Sequence, residues 1–328
     1  MSKGFGSCPW RCPVDDIIVF PGPHGDLFAG YVSYKRSLGY AIPVSYQYVL
    51  REIARFLAQE QGEPDVVSRV MVERLAARKP DEAVSTQCKR IAILRQFCLW
   101  IAAQGYTPAI PPEWLVRDTT DFVPRIVTES EMARILAIAD RDETEQRRLL
   151  LRLLWCCGLR IGEACALSVS DLDIGSGTIL VKHAKGDRTR LLPMSETLWR
   201  YATGYVDRCT LTKADGTLPL LPTARGNVPR SNNQGAALSH VFARAEVLTR
   251  QGKPIRPHDL RHSYAVHALE KMVDSGMDVY VALPLLATYM GHADITSTEY
   301  YLRFTQDTLL RIVDAQQQVS QRVFGGAS

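Results

Sequence analysis

Two arginines, two histidines, a tyrosine and a lysine in the second half of this chain have the types and spacing to do chemistry. Arg160 sits in Cys157-Gly-Leu-Arg-Ile-Gly-Glu163. His258 and Arg261 sit in Pro257-His-Asp-Leu-Arg-His262. His292 closes Met290-Gly-His, and Tyr301 follows it by nine residues. Lys185 lies between the first two clusters. Such a set can attack a phosphodiester without a metal. A nucleophile must reach phosphorus, the charge on the non-bridging oxygens must be neutralised, and the leaving 5′ oxygen must gain a proton. Arginine suits the second task because its planar fork contacts two phosphate oxygens and stays protonated. Preorganised cations in a water-poor site commonly form the largest electrostatic contribution to catalysis.

Arg160 and Arg261 are the candidates for that charge. Glu163, three residues after Arg160, can hold its guanidinium from the next helical turn. His258 and Arg261 share one face at the start of a predicted helix, where the first turn favours a phosphate. Gly291 suits a left-handed helix end that aims His292 into a cleft. Tyr301 would be the nucleophile; a free phenol has a pKa of about 10, so it needs a base or cations beside it. Its attack would leave a phosphotyrosyl bond that can reverse onto another strand without ATP. Lys185, at a hairpin tip, could protonate the leaving oxygen.

Each residue has a plainer reading as well. Arg160 and Glu163 could be a surface pair, His258 and Arg261 incidental on a capped helix, and His292 a cap. Tyr300 competes with Tyr301, one of the two being an ordinary packed or exposed aromatic. Lys182 competes with Lys185, and either could be a charged turn residue. His262 and His267 need no functional role. Arg160 follows an apolar frame (Leu153, Leu154, Trp155, then Ile161, Ala164, Leu167), which argues that it emerges from a core.

The elements that position these residues can be read from periodicity and caps. Tyr46, Val49, Leu50, Ile53, Phe56 and Leu57 recur at helical spacing. A second helix is predicted from Pro64, carrying Val66, Val67, Val70, Met71 and Leu75 and ended by Pro80; a third covers 84–104, with Gly105 at its cap. Between the apolar positions lie Arg51, Arg55, Lys89, Arg90 and Arg95, read either as a solvated face or as a DNA-facing surface. Pro108, Pro111, Pro112 and Pro124 mark a linker. Thr128-Glu-Ser-Glu131 is a capping-box pattern that opens the next domain. Residues 146–157 read as a buried helix ending at Gly158; 177–183 and 189–194 as two strands; 231–250, 258–275, 279–290 and 307–319 as helices. The chain is thus expected to hold an irregular arm over 1–40, a helical domain over 41–106, a proline-rich linker over 107–125 and a second domain over 126–328. The fold class is mainly α with a small antiparallel β-sheet.

A length of 328 residues allows two domains, and 46% hydrophobic with 23% charged residues is ordinary for a soluble globular chain. A net charge of +4 suits nucleic acid but is shared by many unrelated proteins. No secretory h-region is visible near the start, and residues 279–290 are too short an apolar run for a membrane span. A cytoplasmic location is therefore expected, with the eight cysteines reduced. Cys88, Cys98, Cys156, Cys157 and Cys165 fall in apolar runs and read as core. Cys8, Cys12 and His24 invite zinc, but no fourth ligand accompanies them.

Read together and in order, these segments resemble the tyrosine recombinase (phage integrase) family over residues 127–312. The family's Gly-Leu-Arg with a following acid matches Gly158-Leu159-Arg160 and Glu163. Its hairpin Lys-Gly matches Lys185-Gly186, its His-x-x-Arg-His box matches 258–262, and its Gly-His box matches Gly291-His292. Its tyrosine stands nine residues after that histidine, which selects Tyr301 over Tyr300, and Thr298 matches a threonine common three residues earlier. The resemblance implies that Arg160, Arg261 and His292 bind the scissile phosphate, His258 handles the tyrosine proton, Lys185 is the general acid and Tyr301 attacks. It implies a helical core-binding domain at 41–106 and a catalytic domain over 126–328 whose C-terminal helix docks on a neighbour.

The partners implied are double-stranded DNA recombination sites, with the chain as a homo-tetramer on DNA at the bacterial nucleoid. Accessory recombinases or DNA-bending proteins would assist, and no cofactor is implied. The stretch 273–284 is longer than in compact members, and Tyr301 is followed by Leu-Arg rather than Thr-His. The wording Leu283-Pro-x-Leu followed by Tyr289-Met-Gly-His looks more like recombinases carried by transposons. Two rival functions use the same residues differently: a type IB topoisomerase-like relaxation of supercoils, or DNA binding by a protein that no longer cuts.

Overall fold

The structure, a computed structural model, describes residues 18–60, 66–118, 124–184, 188–209 and 217–291. It divides into two units, Met1–Phe122 and Val123–Ser328. Among the described residues no helix is long and apolar enough to cross a membrane. The described part is mainly helical, with one small antiparallel sheet, the fold class expected.

The first unit is built from α1 (Gly25–Ser37), α2 (Val44–Gln59), α3 (Arg69–Ala76) and α4 (Val84–Ala102). In α2, Leu50, Ile53 and Leu57 turn inward, as their spacing predicts. Helix α1 corrects the expectation of an irregular arm through residue 40. Phe28, Tyr31 and Val32 fall at helical spacing and are fully covered. The Phe28 ring stacks on Phe97 of α4 at 4.1 Å, and the Tyr31 hydroxyl hydrogen-bonds that of Tyr46 at 3.1 Å. Burying each such side chain stabilises by about 1.5–3 kcal/mol, enough to hold a helix whose own sequence is weakly amphipathic.

Helix α3 starts at Arg69 rather than Pro64, capped by the Ser68 hydroxyl, which accepts from Met71 N at 3.3 Å. Val66 and Val67 are buried before it begins, Val70 faces out, and Pro64 lies outside the described residues. Arg90 is a second correction: it is neither solvated nor available to DNA, because it is buried and paired with Glu82 at 3.0 Å. Part of the proline-rich segment packs on this unit. Ala109 N donates to Val67 O at 2.8 Å, and Leu115 and Val116 cover the core.

The second unit opens with α5 (Glu129–Asp142). Its capping box is formed: Glu131 N donates to the Thr128 hydroxyl at 3.2 Å, and Thr128 N to Glu131 Oε2 at 2.9 Å. Helix α6 (Glu145–Cys157) is central. Leu149, Leu150, Leu151, Leu153, Leu154 and Cys157 are all buried, so it is covered around most of its circumference. It packs against α5, α7 (Ile161–Ala166), α8 (Glu196–Arg208) and α10 (Pro257–Asp274). Helices α9 (Ser231–Arg244) and α11 (Val279–Met290) complete the helical part; α9 stops six residues short of its predicted end, at 250.

The sheet has strand order β1 (Leu172–Asp173), β2 (Thr178–Ala184), β3 (Arg188–Pro193), all antiparallel. Ile179 pairs with Leu192 and Val181 with Arg190. Side chains alternate, so Arg190 and Leu192 share one face while Leu191, 60% exposed, takes the other. Leu192 and its neighbours Ile179 and Val181 are buried, which sends Arg190 inward.

Candidate active site

Helix α6 ends at Gly158, whose φ of 59° is the left-handed conformation glycine tolerates. A Cβ there would lie 2.5 Å from Tyr264 Cδ1 and 3.2 Å from Met290 Sδ, so the turn also needs glycine for space. The chain then reverses through buried Leu159 and delivers Arg160 as the N-cap residue of α7. Arg160 N donates to Glu163 Oε2 at 3.0 Å, and its Nη1 donates to Glu163 Oε1 at 2.7 Å. The local spacing Arg-x-x-Glu thus does what the sequence predicts. The Arg160 side chain remains 27% exposed.

Arg261 leaves the first turns of α10 and is fully buried. Its Nη1 donates to Gly158 O and its Nη2 to Met290 O, both at 2.6 Å. These carbonyls end α6 and α11, so one guanidinium caps two helices whose C-terminal ends are negative. Its Nη1 is also 3.9 Å from Glu163 Oε2. Met290 leads into Gly291, again left-handed at φ 66°, and Gly291 O accepts from Arg160 Nη2 at 3.4 Å.

A third guanidinium, which the sequence reading did not single out, completes the group. Arg190 of β3 donates from Nη2 to Glu163 Oε2 at 2.8 Å and from Nη1 to Glu163 Oε1 at 3.3 Å, a fork-to-fork pair. Its side chain is 9% exposed. One signal existed: Arg190 is two residues before Leu192 in a predicted strand and so shares its inward face. Among the described residues, three arginines therefore share one carboxylate, which they outnumber. Burial alone would raise the Glu163 pKa, but the Arg190 hydrogen bonds and charge, joined by Arg160, hold it at about 2. Glu163 is an anion at any working pH.

His258 lies one turn before Arg261 on α10, with an outer edge exposed to solvent. Its pKa falls below the usual 6.5, first because nearby protein displaces water, then because the Arg261 charge opposes protonation; Asp259 pulls weakly the other way. A neutral imidazole at neutral pH can accept a proton. The ring meets that of His262 edge-on at 4.5 Å. His262 is buried and His267 stands edge-on to Trp155, so both have packing roles. Asp259 is buried and accepts from Arg256 N at 2.7 Å as an N-terminal cap.

Lys185, His292, Tyr300, Tyr301, Thr298 and the helix expected at 307–319 lie outside the described residues, as do Cys8 and Cys12. The competitor Lys182 is paired through Nζ with Asp171 Oδ1 at 2.5 Å. Among the described residues no three His, Cys, Asp or Glu side chains gather closely enough to hold a metal. The structure thus brings Arg160 and Arg261 together on Glu163, and places His258 on the same helix as Arg261.

Comparison with known proteins gives concordant findings. The profile described as the phage integrase family matches residues 125–307. The chain resembles the tyrosine recombinase XerC of Serratia marcescens, at 29% identity covering 88% of this chain and 93% of that protein. It resembles the tyrosine recombinase XerD of Oceanobacillus iheyensis, at 29% identity covering 75% and 80%. In fold it is similar to the Tn1549 transposon integrase solved with transposon right end DNA. That match has a TM-score of 0.66 at 18% identity, covering 90% of this chain and 98% of that one.

Proposed function

The chain belongs to the phage integrase family, and from that premise we propose which of its residues carry out strand exchange. It is a tyrosine-type site-specific recombinase that cleaves and rejoins DNA strands through a 3′-phosphotyrosyl intermediate. The phosphotyrosyl bond keeps the energy of the cleaved phosphodiester, so rejoining needs no ATP. In our assignment Tyr301 attacks, Arg160, Arg261 and His292 hold the scissile phosphate, His258 accepts the tyrosine proton and Lys185 protonates the leaving oxygen. The observation that carries this reading is the convergence of Arg160 and Arg261 on Glu163, at 2.7 and 3.9 Å, from segments about a hundred residues apart. Surplus cation around a single carboxylate is a receptor for an anion, and a transferring phosphoryl group supplies one. The lowered His258 pKa supports the base role.

The substrate is double-stranded DNA bearing recombination sites, on which the chain acts as a homo-tetramer in the cytoplasm at the bacterial nucleoid. Accessory recombinases or DNA-bending proteins would set direction. The helical unit of α1 to α4 would grip the core site, the end of the proline-rich segment would link it to the catalytic domain 126–328, and the C-terminal helix would dock on a neighbour.

The test traps the intermediate. Purified protein is incubated with nicked duplexes from the DNA flanking its own gene and run on denaturing gels. A covalent adduct lost in Tyr301→Phe and kept in Tyr300→Phe is expected. Loss only in Tyr300→Phe would move the nucleophile by one residue. Binding to these duplexes without any adduct would overturn the assignment in favour of a protein that no longer cuts.

A further inference from the structure

We propose that Arg190 is a positioning residue for strand cleavage: it binds Glu163 and packs on Gly291, the two partners of Arg160, and so keeps that guanidinium aimed at the scissile phosphate. The inference rests on the recombinase reading above and adds a residue to it. Arg190 faces inward with Leu192, where an aliphatic side chain would be the ordinary occupant. Even when well paired, a buried guanidinium adds little stability over an apolar side chain of similar volume, so such a placement calls for a reason beyond stability.

The contacts supply that reason. Arg160 is fixed by two acceptors, Glu163 and the carbonyl of Gly291. Arg190 touches both. Its fork occupies the two Glu163 oxygens, and a Cβ on Gly291 would lie 2.9 Å from its Nη1 and 3.2 Å from its Cζ, so the guanidinium lies against that glycine. Because Arg190 takes Glu163 fork-to-fork, Arg160 side-chain pairing is limited to one Nη on one oxygen, and the guanidinium stays partly exposed. Without Arg190, the carboxylate would draw Arg160 into that fork-to-fork geometry and cancel its charge. Arg190 thus acts on substrate through Glu163 and Arg160, without touching it.

The test uses the full chain as wild type, Arg190→Gln, Arg190→Lys, Glu163→Gln and the Arg190→Gln/Glu163→Gln pair. Crystal structures come first: in Arg190→Gln, Arg160 is expected to rotate onto both Glu163 oxygens. Arg160 unmoved in that structure overturns the proposal, whether or not any duplex is cut. Single-turnover adduct formation on a nicked duplex comes second, with affinity for the same duplex measured alongside. Arg190→Gln should slow the adduct on the order of 100-fold, the scale of a small misplacement of reacting groups, with a smaller effect on affinity. Arg190→Lys should not restore the rate, since an ammonium cannot span both oxygens. Adding Glu163→Gln to Arg190→Gln should recover part of it, because the trap for Arg160 is gone. Contacting residues couple in stability whatever their role, so the pair is read as rate per bound complex: no recovery there over Arg190→Gln alone would also overturn the proposal. An absent wild-type adduct would instead count against the recombinase assignment, leaving the Arg160 displacement to decide the role of Arg190.

Discussion

Each unit of this protein buries an arginine, and the two are handled in opposite ways. In the first unit Arg90 is answered one to one: Glu82 at 3.0 Å and Ala77 O at 3.1 Å, with both ionic side chains under a tenth exposed. The pair is balanced in charge and buried, although among the described residues the Arg90 Nε finds no acceptor. In the second unit Glu163 is shared by Arg160, Arg190 and Arg261, and the group opens to solvent at Arg160. Both arrangements bear a desolvation cost. A closed pair can be replaced by apolar side chains of similar volume without losing anything it does. An open surplus cannot, because its unbalanced charge is the property that binds an anion. The difference separates an ion pair that holds a fold from one that prepares chemistry.

The largest expected effect is at Arg261. Arg261→Ala strands two carbonyls and removes a counter-charge of Glu163, so it should destabilise by about 3–5 kcal/mol and abolish the adduct. Urea unfolding and the gel assay check both, and a stability equal to wild type would break the claim that this guanidinium caps two helices. Next is the direct contrast. Arg160→Ala should cut adduct formation by about 10²–10³-fold while the unfolding midpoint barely moves. Arg90→Ala should do the reverse, losing about 3 kcal/mol of stability, while the apolar pair Arg90→Met/Glu82→Leu returns to within about 1 kcal/mol of wild type. If the apolar pair impaired chemistry per bound complex, the division between the two kinds of ion pair would be wrong.

Gly158→Ala should have an intermediate effect. The new Cβ meets Tyr264 at 2.5 Å on a left-handed backbone, costing about 1–3 kcal/mol and tilting Arg160; thermal melts and adduct rates would register both. The smallest effects are in pH. Glu163 is held at about 2 against an ordinary 4.5, so its stabilisation is complete above 4.5 and lost as pH falls toward 2. Acid titration should show wild type losing stability relative to Glu163→Gln in that window. The folded His258 pKa is below 6.5, so its proton-accepting form persists to lower pH than an ordinary histidine. The acid limb of adduct formation should therefore lie below 6.5 and vanish in His258→Gln.

Local signals were legible where chemistry and geometry repeat within a few residues. Thr128 and Glu131 announce α5, Gly158 the end of α6, and the three-residue spacings pair Arg160 with Glu163 and put His258 beside Arg261. Helix α1 was not legible, because Gly25, Gly30 and the preceding prolines weaken its propensity. It exists through the packing of Phe28 and Tyr31 on Phe97 and Trp100. Arg90 read as exposed because charge usually marks the solvated face, and only Glu82 and Ala77 brought to it by folding make burial tolerable. Helix α8 was passed over although Ser195 caps it, its hydroxyl accepting from Leu198 N, and so was the short strand β1, although Asp173 and Gly175 form the turn that follows it.

Residue types at their local spacing were enough to place most helices of the second unit, the acid beside Arg160 and the order of the site segments. The tertiary structure decided how their charges are shared. Arg190 meets Glu163 across 27 residues, and Arg261 meets Met290 across 29 and Gly158 across 103. Helical and strand periodicity report only which way a side chain faces. Which carboxylate or carbonyl it meets is set when separate segments exclude water between them, and that exclusion is what turns three ordinary arginines and one glutamate into a charged receptor.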